Sequence, residues 1–254
     1  MSPCREQTRR RPVAEPLITL RDVSRWYRRG VDVVHALEHV SLAIEGGVFA
    51  ALMGPSGSGK STLLNLLSGI DRPSAGEVWV AGRRLNDLSE DELAHWRSRH
   101  VGLIFQSYNL IPVLSAQENV ELPLLLTAFG RGERTRRAAT ALRVVDLAPR
   151  ARHVPSELSG GEQQRVAIAR AIVADPDLII ADEPTGDLDA RSADEVLAIL
   201  RDLSRELAKT VVMVTHDPRA RRWVDVVFHL DKGVLLGTEG NDALARAPAH
   251  GGVT

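Results

Sequence analysis

The residues best suited to chemistry, by type and spacing, are Gly54-Pro55-Ser56-Gly57-Ser58-Gly59-Lys60-Ser61-Thr62. The pattern is glycine, four residues, then Gly-Lys-Ser. Glycines so placed let a loop curl until its backbone N–H groups point inward and cradle a phosphate chain. An ammonium on a flexible stem reaches the β- and γ-phosphates, and the hydroxyl after it ligates Mg²⁺. The chain otherwise relies on arginine, and its only lysines are Lys60, Lys209 and Lys232. Lys60 puts a compact charge where a planar guanidinium would serve less well. These residues predict a nucleotide site, against the alternative of a plain Gly/Ser-rich turn.

Two further groups extend this reading. Leu178-Ile179-Ile180-Ala181 runs into two adjacent carboxylates, Asp182 and Glu183. A carboxylate at a strand end beside a phosphate loop can hold Mg²⁺ through its water shell, and the next one can polarise an attacking water. Leu158-Ser159-Gly160-Gly161-Glu162-Gln163-Gln164 is the other group. Ser159 can cap a helix whose first N–H groups, at Gly160 and Gly161, are open to an anion. The same Ser-x-x-Glu spacing also fits an ordinary capping box closed by Glu162.

These residues need elements to hold them. Apolar runs predict strands over Val33–Ile44, Val48–Met53, Glu77–Val80, Val101–Phe105, Leu178–Ala181, Thr210–Thr215 and Val226–Leu230. The runs at 178–181 and 210–215 are almost wholly apolar, as in parallel strands buried on both faces. Helical patterns cover Ser61–Ile70, Ser89–Arg99, Arg134–Val145, Gly160–Ala174 and Ala190–Leu207. Order begins near Leu17. Residues 1–16 read as a flexible basic extension, about 107–174 as a helical insertion, and 237–254 as a loose tail. The fold class is α/β, with strand, phosphate loop and helix at its centre.

Composition narrows the function. The chain has 254 residues, 44% of them hydrophobic and 26% charged, with a formal net charge of -1. That balance is ordinary for a globular chain and gives no field that would draw nucleic acid. No apolar run is long enough for a transmembrane helix. The single cysteine, Cys4, allows no disulfide within one chain and fits a reducing compartment.

The phosphate loop, Leu158–Gln164 and Leu178–Glu183, in this order, resemble the ATP-binding subunits of ABC transporters. The resemblance spans about 17–236 and extends to smaller motifs. It implies a P-loop ATPase core, an inserted helical subdomain, a small antiparallel β subdomain, and ATP and Mg²⁺ as ligands. Gln106 matches the glutamine loop, which implies a metal contact and coupling to the helical insertion. Asp187-Leu188-Asp189 matches the loop that signals across the dimer, with Asp189 at the nucleotide interface. His216 matches the switch histidine. Tyr27 stands where the family places an adenine-stacking aromatic, and Trp26 is an adjacent rival. The family pattern also implies a head-to-tail homodimer. The phosphate loop of one copy and Ser159, Gly160, Gly161 and Glu162 of the other would close on one ATP.

Phe105–Pro112 and Ser115–Val120 are similar to one branch, the separate ATPases that serve lipoprotein-releasing and macrolide-exporting membrane proteins. That branch implies a peripheral position at the cytoplasmic face of the membrane. It also implies an integral permease partner with a large extracytoplasmic domain. An alternative within the family is a regulatory ATPase that signals through a membrane partner without moving a solute. Asp187, where many members carry Asn, and Glu45-Gly46-Gly47, in place of Pro-Gly-Glu, depart from the family pattern. Neither departure is expected to touch the chemistry.

Overall fold

The computed structural model describes residues 16–30 and 32–240. Cys4 and nearly all of the proposed basic extension lie outside them, as do residues 241–254.

The described residues form ten strands and six α-helices. The first are β1 (Ile18–Arg29), β2 (Asp32–Ile44), β3 (Phe49–Met53) and α1 (Lys60–Leu67). Then come β4 (Ala75–Val80), β5 (Arg83–Arg84), α2 (Glu90–His100) and β6 (Val101–Phe105). The middle supplies α3 (Ala116–Glu121), α4 (Arg131–Val144) and α5 (Gly160–Ile172). The last part gives β7 (Leu178–Asp182), α6 (Ala190–Arg205), β8 (Thr210–Val214), β9 (Val226–Asp231) and β10 (Val234–Gly240).

The strands form two sheets. One is antiparallel in the order β2-β1-β4-β5. The other runs β10-β9-β3-β8-β7-β6, parallel throughout except for the β9–β10 hairpin. The near-continuous apolar runs of β3, β7 and β8 have a direct cause. Successive side chains on a strand point to opposite faces, and both faces of this sheet are covered. Phe49, Ala51, Ile179, Ala181, Val211 and Met213 enter one core, which also takes side chains of α3, α4, α5 and α6. Ala50, Leu52, Leu178, Ile180, Val212 and Val214 enter the other, with α1, α2 and the antiparallel sheet. The stretch from 107 to 174 contains no strand, as expected, but its helices share the first core with the sheet rather than forming one of their own.

Two expectations change. Residues 237–240 are not part of a loose tail: β10 runs to Gly240, with Thr238 opposite Phe228 and Gly240 opposite Val226. Those four residues are exposed on an edge strand and held by backbone bonds, so they left no apolar pattern to read. The polar stretch Arg21–Arg29 lies within β1, the longest partner of β2 and β4, although it carries no strand periodicity. Register shifts between Leu20 and Val23, Val23 and Arg25, and Arg25 and Trp26 break the alternation.

Candidate active site

β3, β8, β7 and β6 lie side by side and parallel, so their C-terminal ends share one edge of the sheet. Ligands of open parallel sheets bind at that edge. The loop after β3 carries Gly54–Gly59, β7 ends at Asp182 and Glu183, β8 leads to His216, and β6 leads to Gln106. Together they line one cavity of about 810 Å³, closed on another side by Val34, His35 and Ala36 of β2. That volume suits a nucleotide-sized ligand. Gly54, Pro55, Ser56, Gly57, Ser58, Gly59, Lys60, Ser61 and Thr62 all face it.

The loop needs its glycines at defined places. A Cβ on Gly54 would lie 1.9 Å from the Leu230 carbonyl oxygen. Gly59 has φ +97° and precedes the first turn of α1, and a Cβ there would sit 2.3 Å from the Ala36 oxygen. Backbone on both sides fixes the loop, so neither clash can be relieved by a side-chain turn. Lys60 is 92% buried in this cradle, 8% remaining exposed. Its Nζ donates to the Gly54 and Pro55 carbonyls at 2.8 and 2.7 Å and to Ser58 Oγ at 3.4 Å.

Asp182 and Glu183 occupy different surroundings. Burial, with the Glu183 charge adding to it, pushes the Asp182 carboxyl above the ordinary aspartate range, and Lys60 opposes the shift. A carboxylate so placed favours a cation beside it. Glu183 stands just past the strand with φ +50°, a left-handed conformation that costs a non-glycine residue about 1–3 kcal/mol. Its N–H donates to the Val214 carbonyl at 3.0 Å, which ties the strained turn to β8. Its Oε1 lies 2.9 Å from Nδ1 of His216. That hydrogen bond and the Glu183 charge raise the His216 pKa. His216 and the carboxylate expected to activate water are therefore direct partners.

Gln106 also meets the cavity, and its Nε2 donates to Asp187 Oδ1 at 3.0 Å. Asp187, a departure from the family pattern, is thus the direct partner of Gln106. Three residues the motif reading left unassigned join this region. Gln164, wholly buried on α5, donates from Nε2 to the Pro184 carbonyl at 2.7 Å and toward the Phe105 carbonyl at 3.4 Å. It therefore links the Gly160 helix to the residues flanking Glu183 and Gln106. Arg170, on the same helix, donates to the carbonyls of Tyr108 and Asn109. Tyr108 has its hydroxyl 3.0 Å from where a Gly160 Cβ would stand. Only Gln164 had a local signal, a polar residue inside the apolar stripe of a helix.

Other expected site residues lie apart from the cavity. Ser159 accepts from the Glu162 N–H at 3.2 Å while Glu162 Oε2 accepts from the Ser159 N–H at 2.8 Å, so both partners of the capping box are present. Glu162 also accepts from Arg150. The start of this helix, with Gly160 and Gly161, does not line the cavity of its own chain. Asp189 caps α6 through the N–H groups of Arg191 and Ser192 and the Ser192 hydroxyl. Tyr27 stands opposite Val34 in the β1–β2 pair, beside the cavity wall, and its hydroxyl donates to Asp71. Trp26 is 6.1 Å from the His35 ring, centroid to centroid. Neither aromatic lines the cavity itself. Among the described residues no group of three or more His, Cys, Asp or Glu could hold a metal unaided.

Comparison with known proteins agrees with this geometry. The ABC transporter family pattern matches residues 37–186. The ABC transporter ATP-binding protein MJ0796 of Methanocaldococcus jannaschii is 45% identical over 221 residues, covering 85% of this chain and 94% of that one. A dimeric structure of MJ0796 in a post-hydrolysis state, bound to ADP and Pi, superposes with a TM-score of 0.80 at 43% identity, covering 88% and 98% of the two chains. The lipoprotein-releasing system ATP-binding protein LolD of Chromohalobacter salexigens is 45% identical, covering 87% of this chain and 93% of that one. The macrolide export ATP-binding/permease protein MacB of Agrobacterium fabrum is 45% identical across 90% of this chain, which spans only 35% of that protein. The chain belongs to the ABC transporter ATP-binding family and is an ATP hydrolase.

Proposed function

We propose that this chain is the ATPase subunit of a membrane complex, working as a head-to-tail homodimer that energises a separate permease. One observation carries the reading. The loop residues 54–62, Asp182, Glu183, His216 and Gln106 line a single cavity, whereas the Ser159–Gly161 helix start of the same chain does not. The Gly160 and Gly161 N–H groups lie outside that cavity, and a second copy facing the first would bring them to the γ-phosphate. ATP then favours the closed dimer because only that state makes both sets of contacts. Loss of the γ-phosphate contact on hydrolysis lets it reopen.

Within the site, Lys60 and the loop N–H groups hold the phosphates, and Tyr27, with Trp26 as the rival, stacks on the base. Glu183 takes a proton from the attacking water. His216, already bonded to Glu183, holds that carboxylate in place and contacts the γ-phosphate region. Ser61, Asp182 and Gln106 line one cavity with hydroxyl, carboxylate and amide groups, the oxygen-rich set that Mg²⁺ prefers. Gln106 Nε2 is engaged by Asp187, so its carbonyl oxygen is the atom suited to the metal. These groups would hold Mg²⁺, whose charge would offset that of the transferring phosphoryl group. Asp189, through the α6 cap, sets the loop that faces the partner copy.

No helix of the described residues is long and apolar enough to cross a membrane. In this proposal the permease is a different polypeptide with a large extracytoplasmic domain, and this chain sits peripherally at the cytoplasmic face. Ile111, Val113, Leu125 and Leu126 are exposed beyond Gln106 and supply apolar surface for such a partner. LolD and MacB are named for lipoprotein release and macrolide export, and a cargo of either kind is the class proposed here. Tagged Glu183→Gln protein with ATP and Mg²⁺, recovered from host membranes, tests this. A polytopic membrane protein in the eluate supports the proposal. Ribosomal or DNA-bound partners without one would overturn it.

A further inference from the structure

Tyr27 is held more firmly than a half-exposed aromatic needs to be. Its hydroxyl donates to Asp71 Oδ2 at 2.6 Å. The same carboxylate receives Arg25 in a bidentate pair, Nε to Oδ2 at 2.9 Å and Nη2 to Oδ1 at 2.7 Å. The Arg25 guanidinium carbon lies 4.4 Å from the Tyr27 ring centroid. The ring is thus fixed at its tip and covered on one face. Asp71 is anchored in turn, since its N–H donates to the carbonyl of Asn65 on α1. That helix begins at Lys60, so one rigid element joins the phosphate cradle to the group that fixes the aromatic.

We propose that Asp71 and Arg25 are positioning residues for the base end of ATP. They lock Tyr27 with one face against the guanidinium and leave the other for the base. The proposal rests on the reading of Tyr27 as the stacking aromatic. Two physical consequences favour it. A side chain already immobilised loses little freedom on binding, whereas a mobile one costs roughly 2- to 12-fold in affinity. The Arg25 charge also offsets that of Asp71, so the clamp adds no net negative charge beside an anionic nucleotide.

The test measures binding of ATP and of inorganic tripolyphosphate by calorimetry to the full chain and to Tyr27→Ala, Tyr27→Phe and Asp71→Asn. Base–aromatic stacking is worth roughly 5- to 150-fold. Tyr27→Ala is expected to weaken ATP within that range and leave tripolyphosphate unchanged. Asp71→Asn and Tyr27→Phe should each weaken ATP alone, by roughly 2- to 12-fold. Asp71→Asn added to Tyr27→Ala should cost nothing more. Tyr27→Phe keeps the Arg25–Asp71 pair, so it reads the hydroxyl even if Asp71→Asn folds poorly. If Tyr27→Ala weakens ATP while Tyr27→Phe and Asp71→Asn do not, the clamp is refuted and the stacking reading stands. If Tyr27→Ala has no effect on ATP, both fall. Equal weakening of ATP and tripolyphosphate by Tyr27→Phe would also refute the clamp.

Discussion

Gln164→Leu separates the stability of this molecule from its catalysis. In the folded chain Gln164 is wholly buried, its Nε2 bonded to Pro184 O and directed at Phe105 O, while Oε1 has no partner among the described residues. The amide orientation is fixed by its surroundings, because a flip would set oxygen against two carbonyl oxygens. Leucine removes the bond to Pro184 and strands that carbonyl, at a cost of about 1–3 kcal/mol. It also removes the buried Oε1, whose lack of a partner costs about 1–3 kcal/mol in the native protein. The two terms oppose each other, and leucine fills similar space. Unfolding free energy should therefore move by no more than about 1–2 kcal/mol in either direction. Activity should respond differently. Pro184 follows Glu183, whose left-handed backbone is held by the Val214 bond on one side and by Gln164 on the other. Misplacing a catalytic group by an ångström costs on the order of 100-fold in rate. The expected outcome is a urea midpoint near that of the native chain, with kcat for ATP hydrolysis down roughly 10- to 100-fold. Urea unfolding and a phosphate-release assay on the same preparation measure both. A variant with native kcat would refute the argument that α5 braces the general base.

Three other outcomes follow from the same geometry. Glu183→Gln keeps the shape of the side chain and should bind ATP while hydrolysing it about 10²- to 10⁴-fold more slowly, as single-turnover kinetics would show. Gly59→Ala places a Cβ 2.3 Å from the Ala36 oxygen at φ +97°, so thermal unfolding should fall by several degrees and nucleotide affinity should collapse. His216 should titrate above an ordinary histidine, chiefly through its hydrogen bond to Glu183. Its stabilising effect is complete below the unfolded pKa and is lost as pH rises through the raised folded value. The effect is small because His216 is largely exposed. Proton NMR should show its midpoint falling toward the ordinary value in Glu183→Gln.

The sequence made some parts of the molecule plain for physical reasons. The phosphate loop, Asp182, Glu183, Gln106 and His216 each sit at the end of a strand whose apolar run is unbroken. Burial on both faces writes such strands into the sequence without ambiguity. β1 was hidden because its bulges cancel the alternation, and the end of β10 because residues 237–240 are exposed and carry no apolar side chain. α3 was legible in principle, since Ser115 and Glu118 form a capping box ahead of it. Asp71, Gln164 and Asp187 are a different matter. Their roles depend on partners 44, 20 and 81 residues away, for Tyr27, Pro184 and Gln106 respectively, and no local spacing records such pairs.

In the proposed cycle ATP joins two copies of this chain through the loop of one and the Ser159–Gly161 helix start of the other. Sedimentation of Glu183→Gln protein with Mg²⁺ and either ATP or ADP measures this most directly. A doubling of mass is expected with ATP and a monomer with ADP. A monomer with saturating ATP, or a dimer indifferent to the nucleotide, would contradict it.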